Sequence, residues 1–134
     1  MSLDEQAILE ANAEFYSAFA RHDYAAMDAL WATATPVACV HPGWEALHGR
    51  EQVMASWRAI LLGPEPPVIR CTRPTAHRSG DCAFVVCVEE VAGGALAATN
   101  VFVREGAAWR LVHHHAGPIA RSAAGESPPS GLLN

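Results

Sequence analysis

The sequence predicts an α+β domain in which three N-terminal helices pack on an antiparallel sheet. Apolar residues recur at helical spacing in most of the first half, whereas short strand-like runs separated by Gly-containing turns follow. Helices followed by a series of strands are typical of the α+β class. The chain has 134 residues, 51% hydrophobic and 17% charged, which fits one globular domain. We place that domain at 1–120, and the Ser, Pro and Gly content of 121–134 predicts a disordered tail.

Three helices are indicated by capping residues and apolar stripes. Ser2 and Glu5 have the spacing of a capping box, so we expect the first helix at 3–21. Asp23 is a suitable N-cap for a short second helix, and Gly49 leads into a third. The three stripes comprise Ile8, Ala11, Phe15, Ala18 and Phe19; Met27, Leu30 and Trp31; and Val53, Trp57, Ile60 and Leu61.

The first predicted strand, 36–41, is interrupted by Pro42 and Gly43. The strand at 82–91 is apolar on both faces for most of its length, and only one face can pack on the helices. A second copy of the chain would cover the other face, so we predict a homodimer through the sheet. The alternative cover for this face is the C-terminal tail.

Four strands form the predicted meander, at 68–78, 82–91, 96–104 and 108–116. Pro74 indicates that the first of them is bent or lies at the edge of the sheet.

Composition excludes several classes of function. The net charge is −5, there is no lysine and the nine arginines are scattered, so the sequence does not predict nucleic-acid binding. No apolar run approaches the roughly 20 residues of a membrane span, and the acidic N-terminus lacks the basic start of a signal peptide, which favours a cytoplasmic location. The cysteines lack C-x-x-C spacing and are expected to be reduced and buried: Cys39, Cys71, Cys82 and Cys87.

Two histidine-bearing stretches are the candidates for a functional site. Residues 41–51 read HPGWEALHGRE, a loop between a strand and a helix, and residues 109–118 read WRLVHHHAGP, on the last strand. Loops held by regular elements commonly carry binding residues. We therefore expect the two stretches to line one pocket.

Three segments resemble the nuclear transport factor 2-like (NTF2-like) superfamily, and the SnoaL-like branch in particular: 15–31, 40–57 and 100–118. The resemblance covers about residues 3–120. It implies a cone, with the helices closed over a curved sheet, a pocket at the wide end, and dimers as the usual state. Members include ketosteroid isomerase, polyketide cyclases, dehydratases and a kinase association domain that only oligomerises.

The comparison with ketosteroid isomerase implies roles for three positions. Its catalytic Asp-Pro pair corresponds to His41-Pro42, and histidine is a suitable base near neutral pH. Its tyrosine corresponds to Phe15, which cannot donate a hydrogen bond, and its protonated aspartic acid corresponds to Asn100, which can. Steroid isomerisation is therefore disfavoured, and proton transfer on another carbonyl compound remains open.

The alternation of the last strand places His113 and His115 on the face of Trp109, and His114 on the opposite face. If Trp109 marks the inner face, His113 and His115 point into the cone and orient His41. Together with His41 these histidines could hold zinc, copper, iron or nickel, although three consecutive histidines on a regular strand cannot all reach one ion; no metal or other cofactor is assigned. The alternative is that these histidines bond to backbone or to a dimer partner.

Six further residues are candidates for lining the ligand pocket. Trp31 and Trp57 each lie on a helix stripe, so packing in the core is an alternative for them. Trp44 follows Pro-Gly in a loop and belongs to no stripe, which favours a place in the pocket. Arg58 has a solvated helix face as its alternative. The six candidates are Phe15, Trp31, Trp44, Trp57, Arg58 and Trp109.

Two functions follow. In the first, the cone binds a small apolar carbonyl-type molecule, and His41 serves as base or anchor in an isomerase, cyclase or dehydratase type of proton transfer. In the second, the chain is a non-catalytic dimerising scaffold or association module. Fold alone does not decide between them.

Overall fold

The computed structural model describes residues 2–120, and the predicted tail at 121–134 lies outside the described residues. In chain order the elements are α1 (Leu3–Ala20), α2 (Tyr24–Leu30), β1 (Ala38–Val40), β2 (Leu47–His48), α3 (Arg50–Leu61), β3 (Arg70–Ser79), β4 (Cys82–Val91), β5 (Gly94–Glu105) and β6 (Ala108–Pro118). The α+β class and the three helices are as predicted. None of the described helices is long and apolar enough to cross a membrane.

The helices begin at the predicted capping residues. The backbone N–H of Glu5 donates to the Ser2 hydroxyl over 3.1 Å at the start of α1, and that of Ala26 donates to the Asp23 carboxylate over 3.0 Å at the start of α2. Gly49 precedes α3 with φ of 83°, a conformation that L side chains rarely adopt. The apolar stripes of the three helices pack on one face of the sheet and form the core with it.

Within residues 2–120 the sheet has six strands, in the order β2-β1-β6-β5-β4-β3. The four-stranded antiparallel meander was predicted, whereas the two-residue β2 was not. The sheet is mixed because β1 runs parallel to β6, with Cys39 opposite His114 and Val40 opposite His115. This pairing places the two histidine-bearing stretches side by side.

The side chains of strand β4 alternate between the two faces of the sheet. Ala83, Val85 and Cys87 are buried against the helices, while Phe84 is 43% and Val86 is 40% exposed on the outer face. Strand β3 is an edge strand whose register with β4 shifts between Thr72 and Thr75, around Pro74, as expected for a proline in a strand.

A β-bulge in β6 changes which histidine points inward. Phe102 of β5 pairs with Leu111, but the preceding Val101 pairs with His113, so Val112 is an extra residue. An extra residue reverses the side-chain alternation beyond it. As a result, His114 joins the buried face, at 2% exposure.

Candidate functional site

A cavity of about 500 Å³ opens between α3, the loop after β1, and the inner face of the sheet. Its wall is mostly apolar, and its volume is in the range of small-molecule sites. The polar side chains of its wall include His41, His114 and Glu89. The apolar wall includes Phe19, Trp44, Trp57, Ile60, Ile69 and Leu96.

His41 lies directly after β1 and is 4% exposed, between the rings of Trp44 and Trp57 at centroid distances of 4.8 and 4.7 Å. Its Nε2 is 2.8 Å from Ser56 Oγ, and the Ser56 hydroxyl donates its proton to Val53 O over 2.6 Å. The serine oxygen must therefore accept from His41, so Nε2 carries the proton. Nδ1 keeps the lone pair, with the Cys39 sulfur 4.0 Å away.

Asn100 fixes the opposite tautomer on His114. The two residues face each other across β5 and β6. The Asn100 amide nitrogen donates to Asn12 Oδ1 over 2.8 Å and to the Tyr16 hydroxyl over 3.2 Å. Its oxygen lies 2.6 Å from His114 Nδ1 and accepts from it, so Nε2 of His114 carries the lone pair.

Glu89 is a buried carboxyl group, 1% exposed, on the inner face of β4. The Tyr16 hydroxyl donates to its Oε2 over 2.6 Å. Burial raises the pKa of Glu89, against the opposing effect of the Tyr16 hydrogen bond. His114 Nε2 is 4.0 Å from the same Oε2, which is beyond hydrogen-bond distance.

Both imidazoles of the cavity are uncharged at neutral pH. Burial lowers the pKa of His41 to about 4. Burial, together with the neighbouring histidines, lowers the pKa of His114 to about 3. The 4.0 Å separation of His114 from Glu89 and this lowered pKa both argue against an ion pair between them. The rings of His41 and His114 lie 6.3 Å apart, so one small ligand can reach both.

Of the predicted site residues, His41, Trp44 and Trp57 line the cavity. Trp44 is 46% exposed at its mouth, whereas Trp57 is fully buried in its wall. Asn100 does not line the cavity and acts on it through His114; both of its amide protons are used within the protein, so it cannot polarise a ligand oxygen as predicted.

The other four pocket candidates lie outside the cavity lining. Phe15 is in the core behind His114, with ring centroids 5.0 Å apart, and Trp31 is core at 1% exposure. Arg58 lies over the Tyr24 ring, 5.6 Å from its centroid. Trp109 packs under Arg104 at 4.8 Å. Their prediction as lining residues is wrong because helix stripes and strand ends face the core beside the cavity.

The predicted orientation of His113 and His115 is also wrong. Both lie on the outer face of the sheet because the Val112 bulge reverses the alternation, and His113 Nδ1 is 3.0 Å from Ala38 O. This backbone contact is the alternative that the sequence left open. Neither residue can orient His41 from the outer face.

Sequence reasoning missed three residues of the site. Glu89 continues the inward positions of β4, so an acidic residue at an inward position was the available signal. The tyrosine of ketosteroid isomerase was aligned with Phe15, but the buried hydroxyl of the first helix belongs to the next residue, Tyr16. His114 had no comparable signal because a bulge is not readable from the strand pattern.

No cluster of three or more His, Cys, Asp or Glu side chains able to hold a metal occurs within residues 2–120. The four cysteines are free thiols. Cys39 and Cys87 are buried as predicted, and burial raises the pKa of Cys39 to about 12, which makes it a poor nucleophile. Cys71 is half-buried and Cys82 is exposed, so the prediction of burial is wrong for Cys82.

The sequence profile of the SnoaL-like domain family matches residues 8–121, and the chain belongs to this family. A Streptomyces avermitilis protein, provisionally described as a dehydratase of the NTF2-like family, is 34% identical; the match covers 87% of this chain and 96% of that one, with a TM-score of 0.81. The NTF2-like fold, an α+β cone, is thereby confirmed.

Two further relatives differ in their descriptions. A Thiobacillus denitrificans protein, provisionally described as a calcium/calmodulin-dependent protein kinase type II association domain, is 32% identical over 82% of this chain and 93% of its own, with a TM-score of 0.72. The F-box protein SKIP8 of Arabidopsis thaliana is 29% identical over 112 residues. That match covers 82% of this chain but 48% of SKIP8, so the chain spans about half the length of this curated relative.

Proposed function

We propose that the chain binds a small, mostly apolar carbonyl-type molecule in the cavity and transfers a proton through His41. The observation that carries the proposal is the imidazole of His41 in the wall of an apolar cavity, with its proton held on Nε2 by Ser56. Nδ1 is then available to accept a proton at neutral pH. The relative described as a dehydratase supports this class of chemistry.

The pKa of His41, about 4, limits the reaction class. A weak base removes only protons that the substrate itself makes acidic, such as a C–H next to a carbonyl group. For carbonyl compounds, isomerisation, aldol-type cyclisation and elimination of water can each begin with such a step.

Binding is tested by titrating the protein with naphthalene, an uncharged apolar probe. We expect binding that shifts the ring resonances of His41 and Trp57, because both line the cavity. Ile60→Trp adds a bulky side chain to the cavity wall and is expected to weaken binding at least about tenfold. Leu62→Trp is the matched control, since Leu62 follows on the same helix end and is 57% exposed. Equal binding by both variants would place the probe elsewhere.

A second property, association of two copies through the outer face of the sheet, is favoured by a specific observation. Two rows of side chains cross this face: His77, Phe84, Val101 and His113; and Thr75, Val86, Thr99 and His115. The central apolar pair, Phe84 and Val86, is exposed in the isolated chain. A patch of this kind typically marks an interface. The relative described as an association domain supports the same property.

Dimerisation and ligand binding use opposite faces of the sheet, so they are compatible. A scaffold without catalysis would need the outer face alone. The neutral histidines of the inner face would then have no role, which is why we rank the binding function first.

A further inference from the structure

We infer that Glu89 and His114 form a hydroxyl-binding subsite in the cavity, so that the ligand is an uncharged, mostly apolar molecule that carries a hydroxyl group. The inference rests on the proposed binding function and names the chemistry of its ligand. It uses a pair of side chains that lies beside, and is separate from, the His41–Ser56 pair.

His114 supplies one half of the subsite, a hydrogen-bond acceptor. Its Nδ1 proton is committed to Asn100 Oδ1, so Nε2 has a lone pair and no proton. Asn100 cannot rotate to offer an alternative because its amide nitrogen is bound to Asn12 and Tyr16. The acceptor is therefore built into the core and does not depend on the ligand.

Glu89 supplies the other half, a hydrogen-bond donor. Tyr16 occupies Oε2, and Oε1 has no hydrogen-bond partner among the described residues. No arginine of residues 2–120 lines the cavity and the chain has no lysine, so no cation is available there to hold a carboxylate charge. Burial without a nearby cation favours the protonated acid, which is the direction in which the pKa of Glu89 is raised, and the subsite uses this protonated form as its donor.

A hydroxyl group matches this pair because it accepts and donates at once. Its oxygen accepts from the Glu89 carboxylic acid, and its proton is donated to His114 Nε2. The 4.0 Å between Glu89 Oε2 and His114 Nε2 is too long for a direct bond, so neither group satisfies the other. A ligand oxygen beside the two satisfies both.

The same features reject charged ligands. A carboxylate or phosphate would meet two lone pairs, on His41 and His114, and no cation. Glu65 also lines the cavity, and it adds a second acidic group rather than a positive one. An ammonium ion would need Glu89 to be ionised, which burial opposes.

Four naphthalene derivatives test the inference at pH 7: naphthalene, 2-naphthol, 2-naphthoate and 2-naphthylmethylammonium. We measure dissociation constants by calorimetry. The expected result is that 2-naphthol binds about tenfold tighter than naphthalene, which is the gain from one net buried hydrogen bond. Both ions are expected to bind at least about tenfold more weakly than 2-naphthol.

Glu89→Gln is the diagnostic variant. The glutamine amide donates to a ligand oxygen and its carbonyl still accepts from Tyr16, so the preference for 2-naphthol over naphthalene is expected to persist. Glu89→Met removes the donor and is expected to abolish that preference; loss of the preference in Glu89→Gln as well would contradict a donor role for Glu89. Glu90→Gln is the matched control for removing an acidic side chain from the same strand; Glu90 does not line the cavity, so the variant should change neither constant.

Three results would overturn the inference. If 2-naphthol and naphthalene bind equally, the cavity and the proposed function survive but the hydroxyl subsite does not. If 2-naphthylmethylammonium binds best and Glu89→Gln abolishes its binding, Glu89 is an ionised anchor for cations. If none of the four probes binds, the proposed binding function fails together with the inference.

Discussion

His41→Gln is expected to slow protein-catalysed proton exchange on a carbonyl compound by about 10²-fold or more. A suitable compound is 2-tetralone, an uncharged bicyclic ketone with acidic C–H bonds next to its carbonyl group. The glutamine amide can still donate to Ser56 Oγ in place of His41 Nε2, but the variant lacks the Nδ1 lone pair. The rate of deuterium incorporation from D₂O, followed by NMR, measures the loss.

The choice of glutamine separates catalysis from packing. His41 is buried between Trp44 and Trp57, so alanine would leave a cavity and lower stability as well as activity. Ser56→Ala is the matched control, because it keeps the imidazole and removes the oxygen that selects its tautomer. We expect a smaller loss of about tenfold from Ser56→Ala. Exchange by His41→Gln at the wild-type rate would exclude His41 as the base.

Phe84→Glu is expected to raise the dimer dissociation constant by about 30-fold or more, as for the loss of a central interface contact. Phe84 lies in the middle of the outer face, stacked on His77 at 4.8 Å and paired with Val101. A glutamate there would have to bury its charge against apolar residues of the second copy. Sedimentation velocity across a concentration series gives the constant.

Leu62→Glu is the matched control for this prediction. Leu62 is also an exposed apolar residue, at 57%, but it lies at the end of α3 and away from the outer face of the sheet. The same charge change there should leave the dissociation constant within about twofold. A wild-type protein that remains monomeric throughout the series would refute the sheet-mediated dimer.

Except for the two-residue β2, the elements of the fold could be predicted from the sequence because they depend on local signals. The Asp23 cap of α2 and the apolar strand β4 depend on neighbouring residues, and the structure contains both. His41 was found from local sequence as well, because it begins the histidine-bearing stretch at 41–51 and forms the His41-Pro42 pair that ends the first predicted strand. The parallel pairing of β1 with β6 joins residues far apart in the chain, and spacing alone does not reveal it.

The site could be predicted only in part because its geometry depends on a single irregularity. The Val112 bulge exchanges the inner and outer histidines, and nothing in three consecutive histidines indicates where a bulge falls. Asn100 was found, but its role changed, since burial commits its amide protons to Asn12 and Tyr16. These hydrogen bonds join residues far apart in the chain, so they depend on tertiary packing and are not visible in the sequence pattern.

The protonation states of His41 and His114 support both the proton transfer and the hydroxyl subsite, and ¹⁵N NMR of the imidazole rings measures them directly. At pH 7 we expect both rings to be neutral, with the proton on Nε2 of His41 and on Nδ1 of His114, and neither ring to titrate down to pH 5, given pKa values of about 4 and about 3. A doubly protonated ring at pH 7, or the two tautomers exchanged, would contradict the assignment of a free acceptor on each histidine.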